Sequence, residues 1–206
     1  MKKTNQISFA EAKQDRAKKT LDDISNTALD IVEIGEPNLL NSRTLAQKSG
    51  YSLGTLSKRL SSIDKVFLWA IKKQQEKHLN SMSESIKNFD PSLPIEILLE
   101  LLVDQSFELI SKVSPKIIQY YDSRIIKYEN KANYHHVSDV LVDSFFNAIE
   151  RSLNGTFRKM SKDELRLVLR TTAIFIERPF AEEEKFAGTK EHREIALRNL
   201  IRLLKT

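Results

Sequence analysis

Residues 42–67 read SRTLAQKSGYSLGTLSKRLSSIDKVF. Arg43, Ser52, Leu53, Thr55, Ser57, Lys58, Arg59 and Lys65, all in this stretch, form a set suited to nucleic acid. Guanidinium and ammonium groups neutralise phosphates, and hydroxyls contact phosphate oxygens or base edges. No comparable set exists for catalysis. The chain has no glycine-rich phosphate loop, no Gly-x-Ser-x-Gly elbow and no His-Glu-x-x-His, so neither enzymatic activity nor a cofactor is expected. Its histidines, His78, His135, His136 and His192, are scattered. His135 and Asp139 would share a helix face and could ligate a metal. Adjacent histidines at a helix start are more often solvated, however, and no metal site is expected. The Glu182-Glu183-Glu184 run reads as a solvated loop.

Two short helices and a turn must position these side chains. Leu45 and Ala46 give the first helix an apolar face, and Asn41 or Ser42 caps it. Gly50 ends it where the left-handed region is needed, a conformation glycine adopts without steric cost. Ser52 is the expected N-cap of a second helix over 53–60, accepting from the backbone N–H near Thr55. Ser61 and Asp64 start a third helix with capping-box-like spacing, and Asp64 suits a helix N-terminus. Two helices about a glycine-containing turn make a helix-turn-helix, whose second helix enters the DNA major groove.

The run Thr44-Leu-Ala-Gln-Lys-Ser-Gly-Tyr-Ser-Leu-Gly-Thr-Leu56 closely resembles the DNA-binding signature of the TetR family of bacterial repressors, and residues 28–32 resemble that family's first helix. The resemblance covers about the first third of the chain. It implies a dimeric repressor that binds a palindromic operator and carries an effector pocket in a second domain. It also implies that Arg43 reaches a base edge, for which guanine is the natural partner. Three positions depart from the pattern. Ser57 stands where an aromatic, usually Tyr, reaches a phosphate; Arg59-Leu60 replace His-Phe; and Ile63 replaces a phosphate-touching Lys. The phosphate clamp is therefore expected from Lys58, Arg59 and Lys65.

Charge placement agrees. Through Asn80 there are 14 Lys and Arg against 9 Asp and Glu; beyond it there are 19 of each. A basic head on a neutral body is the footprint of phosphate binding. With 206 residues and 40% hydrophobic content the chain can bury a core. It has no cysteine, hence no disulfide. There is no apolar run of spanning length and no signal-peptide core near the start, so a cytoplasmic protein without membrane association is expected.

Residues 1–7 read as a frayed tail, with a minor-groove arm as the alternative, and Ser8 to Glu11 as a capping box. A long helix to about residue 33 follows, burying Leu21, Ile24, Ala28, Ile31 and Val32. The third motif helix continues to about residue 88, long enough to leave a small head. Trp69 is expected to pack between head and body. Residues 95–113 are apolar on nearly every side and are expected in the middle of a bundle. Further helices follow near 115–126 and 137–153, then one over 163–178 stopped by Pro179, and a last one over 192–204. The expected class is all-α: a three-helix head (1–62, motif about 42–61) joined by a long helix to a ligand-binding and dimerising bundle (63–206).

Two sets of body residues have expected roles. Ile97, Leu101, Phe107, Tyr121 and Phe145 are the expected lining of a pocket for a small hydrophobic effector, although each taken singly is as readily core. A homodimer is expected through the last two helices, 163–178 and 192–204, with Leu197, Leu200, Ile201 and Leu204 as a stripe facing the second subunit; packing inward on Leu165 and Leu169 is the alternative. Three functions fit: a ligand-released repressor, a DNA-binding head with a protein-binding body, and a helical enzyme or metal protein. The first is preferred.

Overall fold

The computed structural model describes residues 15–128 and 139–206. Among them are nine α-helices: α1 Asp15–Ile34, α2 Ser42–Ser49, α3 Leu53–Arg59, α4 Ile63–Lys87, α5 Ile95–Ile110, α6 Pro115–Tyr128, α7 Val142–Arg151, α8 Lys162–Ala181 and α9 Lys190–Leu204. The described residues form no strand beyond one isolated antiparallel bridge, Phe157 to Lys205. The class is all-α, as expected. The tail, the Ser8 capping box and the His135-His136 pair lie outside the described residues.

By its internal contacts the chain forms two units. The first runs to Gln75 and includes α6 from Lys116; the second comprises Glu76–Pro115 and the chain from α7 onward. Helix α4 is continuous through Gln75 and Glu76, and Trp69 lies half-buried in its first-unit part.

In the first unit, α1 buries Ala17, Leu21, Ile24, Ala28, Ile31 and Val32 at three- and four-residue spacing. Gly35, at φ 78°, ends the helix, its N–H bonding the Val32 carbonyl. Helix α6 buries Ile117, Ile118, Tyr120, Tyr121 and Ile125.

The second unit has its own core, in which Ile86, Ile95, Leu98, Leu102, Phe145, Ile149, Leu165, Leu169, Leu200 and Leu204 all take part. Helix α5 departs from expectation. Its buried positions Ile95, Leu98, Leu99, Leu102 and Val103 form one stripe, while Ile97 and Leu101 are 46% and 43% exposed. The acidic residues Glu96, Glu100, Asp104 and Glu108 keep its other side toward water, where Glu96 pairs with Lys205 and Asp104 with Arg193. Helix α7 stops at Arg151, before Leu153, which is exposed while its N–H bonds the Pro91 carbonyl.

Helix α8 starts on Ser161, whose hydroxyl accepts from the Glu164 N–H. It runs past Pro179 to Ala181. Proline has no N–H to give the carbonyl four residues back, that of Phe175. His192, at the start of α9, bonds that carbonyl through Nε2 at 2.9 Å. Its Nδ1 accepts from the Gly188 N–H at 3.1 Å. With Nδ1 an acceptor, Nε2 carries the hydrogen, so the ring is the neutral Nε2–H tautomer. Phe107, Phe180 and Phe186 surround the ring at centroid distances of 4.7, 5.5 and 5.2 Å. After Ala181, the Glu183 and Glu184 N–H groups bond the Phe180 and Pro179 carbonyls, with Glu183 at φ 55°. The acidic run is thus a Schellman-type helix stop.

Candidate nucleic-acid interface

The helix-turn-helix is set by local caps. The Asn41 side chain accepts from the Thr44 N–H at 2.9 Å and opens α2. Gly50, at φ 73°, closes it. The Ser52 hydroxyl accepts from the Thr55 N–H at 3.1 Å and lies 3.0 Å from the Thr55 hydroxyl. Leu45 and Leu56, essentially without exposure, are the buried anchors of α2 and α3. Tyr51 ties the turn to α1: its hydroxyl donates to Asp23 at 2.7 Å. That bond holds the phenol above the usual tyrosine range.

Leu56 is the only buried residue of α3. Ser52, Leu53, Ser57, Lys58 and Arg59 are exposed and Thr55 half-buried, while Arg43 is exposed at the start of α2. These predicted residues therefore lie together on two consecutive short helices. Lys65 is set apart, half-buried in the first turn of α4 with its ammonium 5.9 Å from the centre of the Tyr128 ring.

Tyr128 belongs to a cluster that joins α6 to the start of α4. Asp64 Oδ1 accepts from the Tyr120 hydroxyl at 2.8 Å and from Arg124 Nε at 3.2 Å; Oδ2 accepts from the Tyr128 hydroxyl at 3.2 Å. The Arg124 guanidinium also stacks 3.9 Å from the Tyr120 ring centre. Burial first, then the bond to Asp64, pushes the Tyr120 phenol well above the usual tyrosine range.

No family model matches the sequence, and no curated protein matches it significantly. Solved structures do match in fold. A chain from Shewanella sp. PV-4 named for the TetR family of transcription regulators superposes with a TM-score of 0.58 at 11% identity, over 91% of this chain and 98% of that one. One from Mesorhizobium loti, named likewise, gives 0.57 at 12% identity, over 94% and 100%. A third, from Vibrio parahaemolyticus, gives 0.52 at 12%, over 91% and 99%. This chain has the TetR-family fold.

Within that TetR-like fold the body residues fall differently from expectation. Leu200 and Leu204 of α9 are core residues, and Leu197 and Ile201 pack against the same cluster as Leu165 and Leu169. The α9 stripe is thus turned to its own core, where α9 packs against α5 and α8. Of the expected pocket set, Phe145 belongs to the core cluster, and Phe107 packs against that cluster and against His192. Ile97 and Leu101 are exposed, and Tyr121 is buried in the first unit. The five do not converge on one site within either unit. Among the described residues no cluster of three His, Cys, Asp or Glu could hold a metal, and no helix is long and apolar enough to cross a membrane.

Sequence reasoning missed the cluster that Tyr120, Arg124 and Tyr128 form on Asp64, with Lys127 beside it. Lys127 lies 5.3 Å from the Tyr128 ring centre, so that ring is flanked by two ammonium groups. Only the basic and aromatic spacing along α6 hinted at this, since the partners lie about sixty residues upstream. Asp64→Asn should cost about 1–2 kcal/mol, because the amide keeps one acceptor oxygen and loses the charge opposite a partly exposed Arg124. It should also lower the Tyr120 pKa, as read by ultraviolet phenol titration. A folded-state pKa above the unfolded one adds stability that is complete below about pH 10 and is lost as pH rises beyond it. Wild type should lose this contribution in that window and Asp64→Asn should lose less. An unchanged Tyr120 titration in the variant would count against the cluster.

Proposed function

We propose that this chain is a sequence-specific transcription regulator that binds double-stranded DNA as a homodimer on a palindromic operator. The observation that carries this reading is that α3 buries only Leu56. Its polar and basic side chains, with Arg43 on α2, are offered outward on capped helices, as base and phosphate contacts require. The TetR-like fold and the basic excess before residue 80 support it. Residues 1–62 serve as the DNA-binding part and 63–206 as the regulatory and dimerising part. The test is affinity for duplex DNA across a salt series, where log affinity should fall linearly with log salt. A flat response would exclude this function.

A single head makes few base contacts, whereas a dimer doubles them over half-sites about 34–36 Å apart. With the α9 stripe turned inward, α8 supplies the better dimer surface. Leu167 and Ile174 are 63% and 50% exposed, and exposed Thr171 lies between them on one face. Replacing both Leu167 and Ile174 with Glu should leave a folded monomer with weakened operator binding. Analytical ultracentrifugation showing an intact dimer would defeat the assignment.

The finer reading is a repressor released by a small apolar effector held in the body, supported by the motif resemblance and the shared fold. Such a ligand must bind the DNA-free state better, and operator must then weaken ligand by the factor by which ligand weakens operator binding. Calorimetry of the ligand with and without operator measures that factor. Exposed Ile97 and Leu101 favour a second reading, in which the body meets a protein partner. Equal ligand affinities in the two titrations would leave that reading the better one.

A further inference from the structure

Helix α6 belongs by its internal contacts to the same unit as the helix-turn-helix, and its last turn ends in Lys127 and Tyr128. Two ammonium groups are held around the Tyr128 ring: that of Lys65, 5.9 Å from the ring centre, and that of Lys127, 5.3 Å from it. The ring is itself fixed, since its hydroxyl donates to Asp64 at 3.2 Å and accepts from the Ser62 hydroxyl at 3.5 Å. Asp64 is the carboxylate at hand, and it is taken up by Tyr120, Arg124 and Tyr128. Among the described residues neither lysine has a carboxylate partner. The face of an aromatic ring attracts a cation but does not neutralise it. Two like charges gathered at one ring therefore make a site that still lacks its anion.

We propose that the end of α6 is a further DNA-contacting element, in which Lys127, with Lys65 at the same ring, binds backbone phosphate beside the stretch that α3 reads. This rests on the DNA-binding reading above and deepens it, by adding a helix from outside the helix-turn-helix to the contact surface. Ser62, which touches Tyr128, follows Arg59 by three residues, so their Cα atoms lie within about 11 Å of each other. Each strand of a duplex carries a phosphate about every 3.4 Å along the helix axis. A duplex seated on α3 thus has further phosphates within reach of this ring. Lys127 is exposed, which leaves its ammonium open to them, and lysine suits phosphate as a point charge. A contact of this kind adds affinity and fixes register without reading sequence.

The test measures affinity of the full chain for duplex DNA across a salt series, for wild type, Lys127→Ala, Lys127→Arg and Lys116→Ala. Lys116 is exposed in the first turn of α6, about 16 Å along the helix from Lys127, so its variant removes the same charge from beyond the screening length. Lys127→Ala should weaken binding roughly thirtyfold at physiological salt, as loss of one phosphate pair from each head of a dimer implies. The slope of log affinity against log salt should become shallower by about 2, at about 0.9 for each phosphate. A duplex enriched from a random pool and an unrelated duplex of equal length should lose affinity by similar factors. Lys127→Arg should keep most of the binding, and Lys116→Ala should stay within about twofold of wild type. Wild-type affinity and slope in Lys127→Ala would overturn the proposal. Equal losses in Lys127→Ala and Lys116→Ala, or a loss confined to the enriched duplex, would overturn it too. If wild type itself binds no duplex, the DNA-binding reading has failed, and the proposal falls with it.

Discussion

Exchanging His192 for leucine is expected to cost roughly 2–4 kcal/mol of stability. The ring is 1% exposed and both its nitrogens are engaged, one accepting from Gly188 and one donating to Phe175. Leucine fills comparable space among Phe107, Phe180 and Phe186 but leaves both backbone groups unpaired. An unsatisfied buried polar group costs about 1–3 kcal/mol, and the Gly188 N–H, in an exposed turn, belongs at the low end. The Phe175 carbonyl is the larger loss because Pro179 removed its helical donor. Pro179→Ala restores an N–H at that position. In the Pro179→Ala background, His192→Leu should therefore cost about 1 kcal/mol less than in wild type, a coupling that denaturant titrations of the four proteins would resolve. Additive effects would mean that the histidine does not act through this carbonyl.

The same pair shows where the sequence stopped being informative. Pro179 reads as a helix stop because proline cannot continue the hydrogen-bond ladder. It does not stop α8, since a side chain thirteen residues later supplies the missing donor. By contrast Asn41, Gly50 and Ser52 were legible as caps and turn, because each acts on backbone within three residues of itself. The face of α1 was legible for the same local reason. The α9 stripe was only half legible. Period identifies a face as apolar, but whether its own core or a second subunit covers it depends on elements far away in sequence. Helix α5 misled in the opposite direction: its apolar content suggested burial all round, yet Ile97 and Leu101 are exposed. Asp64 could be placed at a helix start from sequence, but not its three partners on α6.

Removing both charges at the end of α3, Lys58→Ala with Arg59→Ala, is expected to have the largest effect on DNA binding. Both residues are exposed in the last turn of α3. They stand beside Ser57, which replaces an aromatic that the resembling pattern uses for phosphate. Without that aromatic, the phosphate attraction of α3 falls on these two cations. The double variant takes two cations from each head, and so about four ion pairs with phosphate from a dimer on its operator. At about 1 kcal/mol for each such pair, affinity should drop close to a thousandfold at physiological salt. The slope of log affinity against log salt should become shallower by about 3–4, because each neutralised phosphate adds about 0.9 to it. Loss of net charge alone is controlled by Lys18→Ala with Lys19→Ala, which removes the same charge from the exposed side of α1. That control should move affinity much less, since neither lysine belongs to α2 or α3 and charges off the contact surface are screened beyond about 8 Å at physiological salt. If the two double variants weaken binding equally, the head attracts DNA only through its overall charge. If the α3 variant binds like wild type with an unchanged slope, α3 does not dock against the DNA backbone.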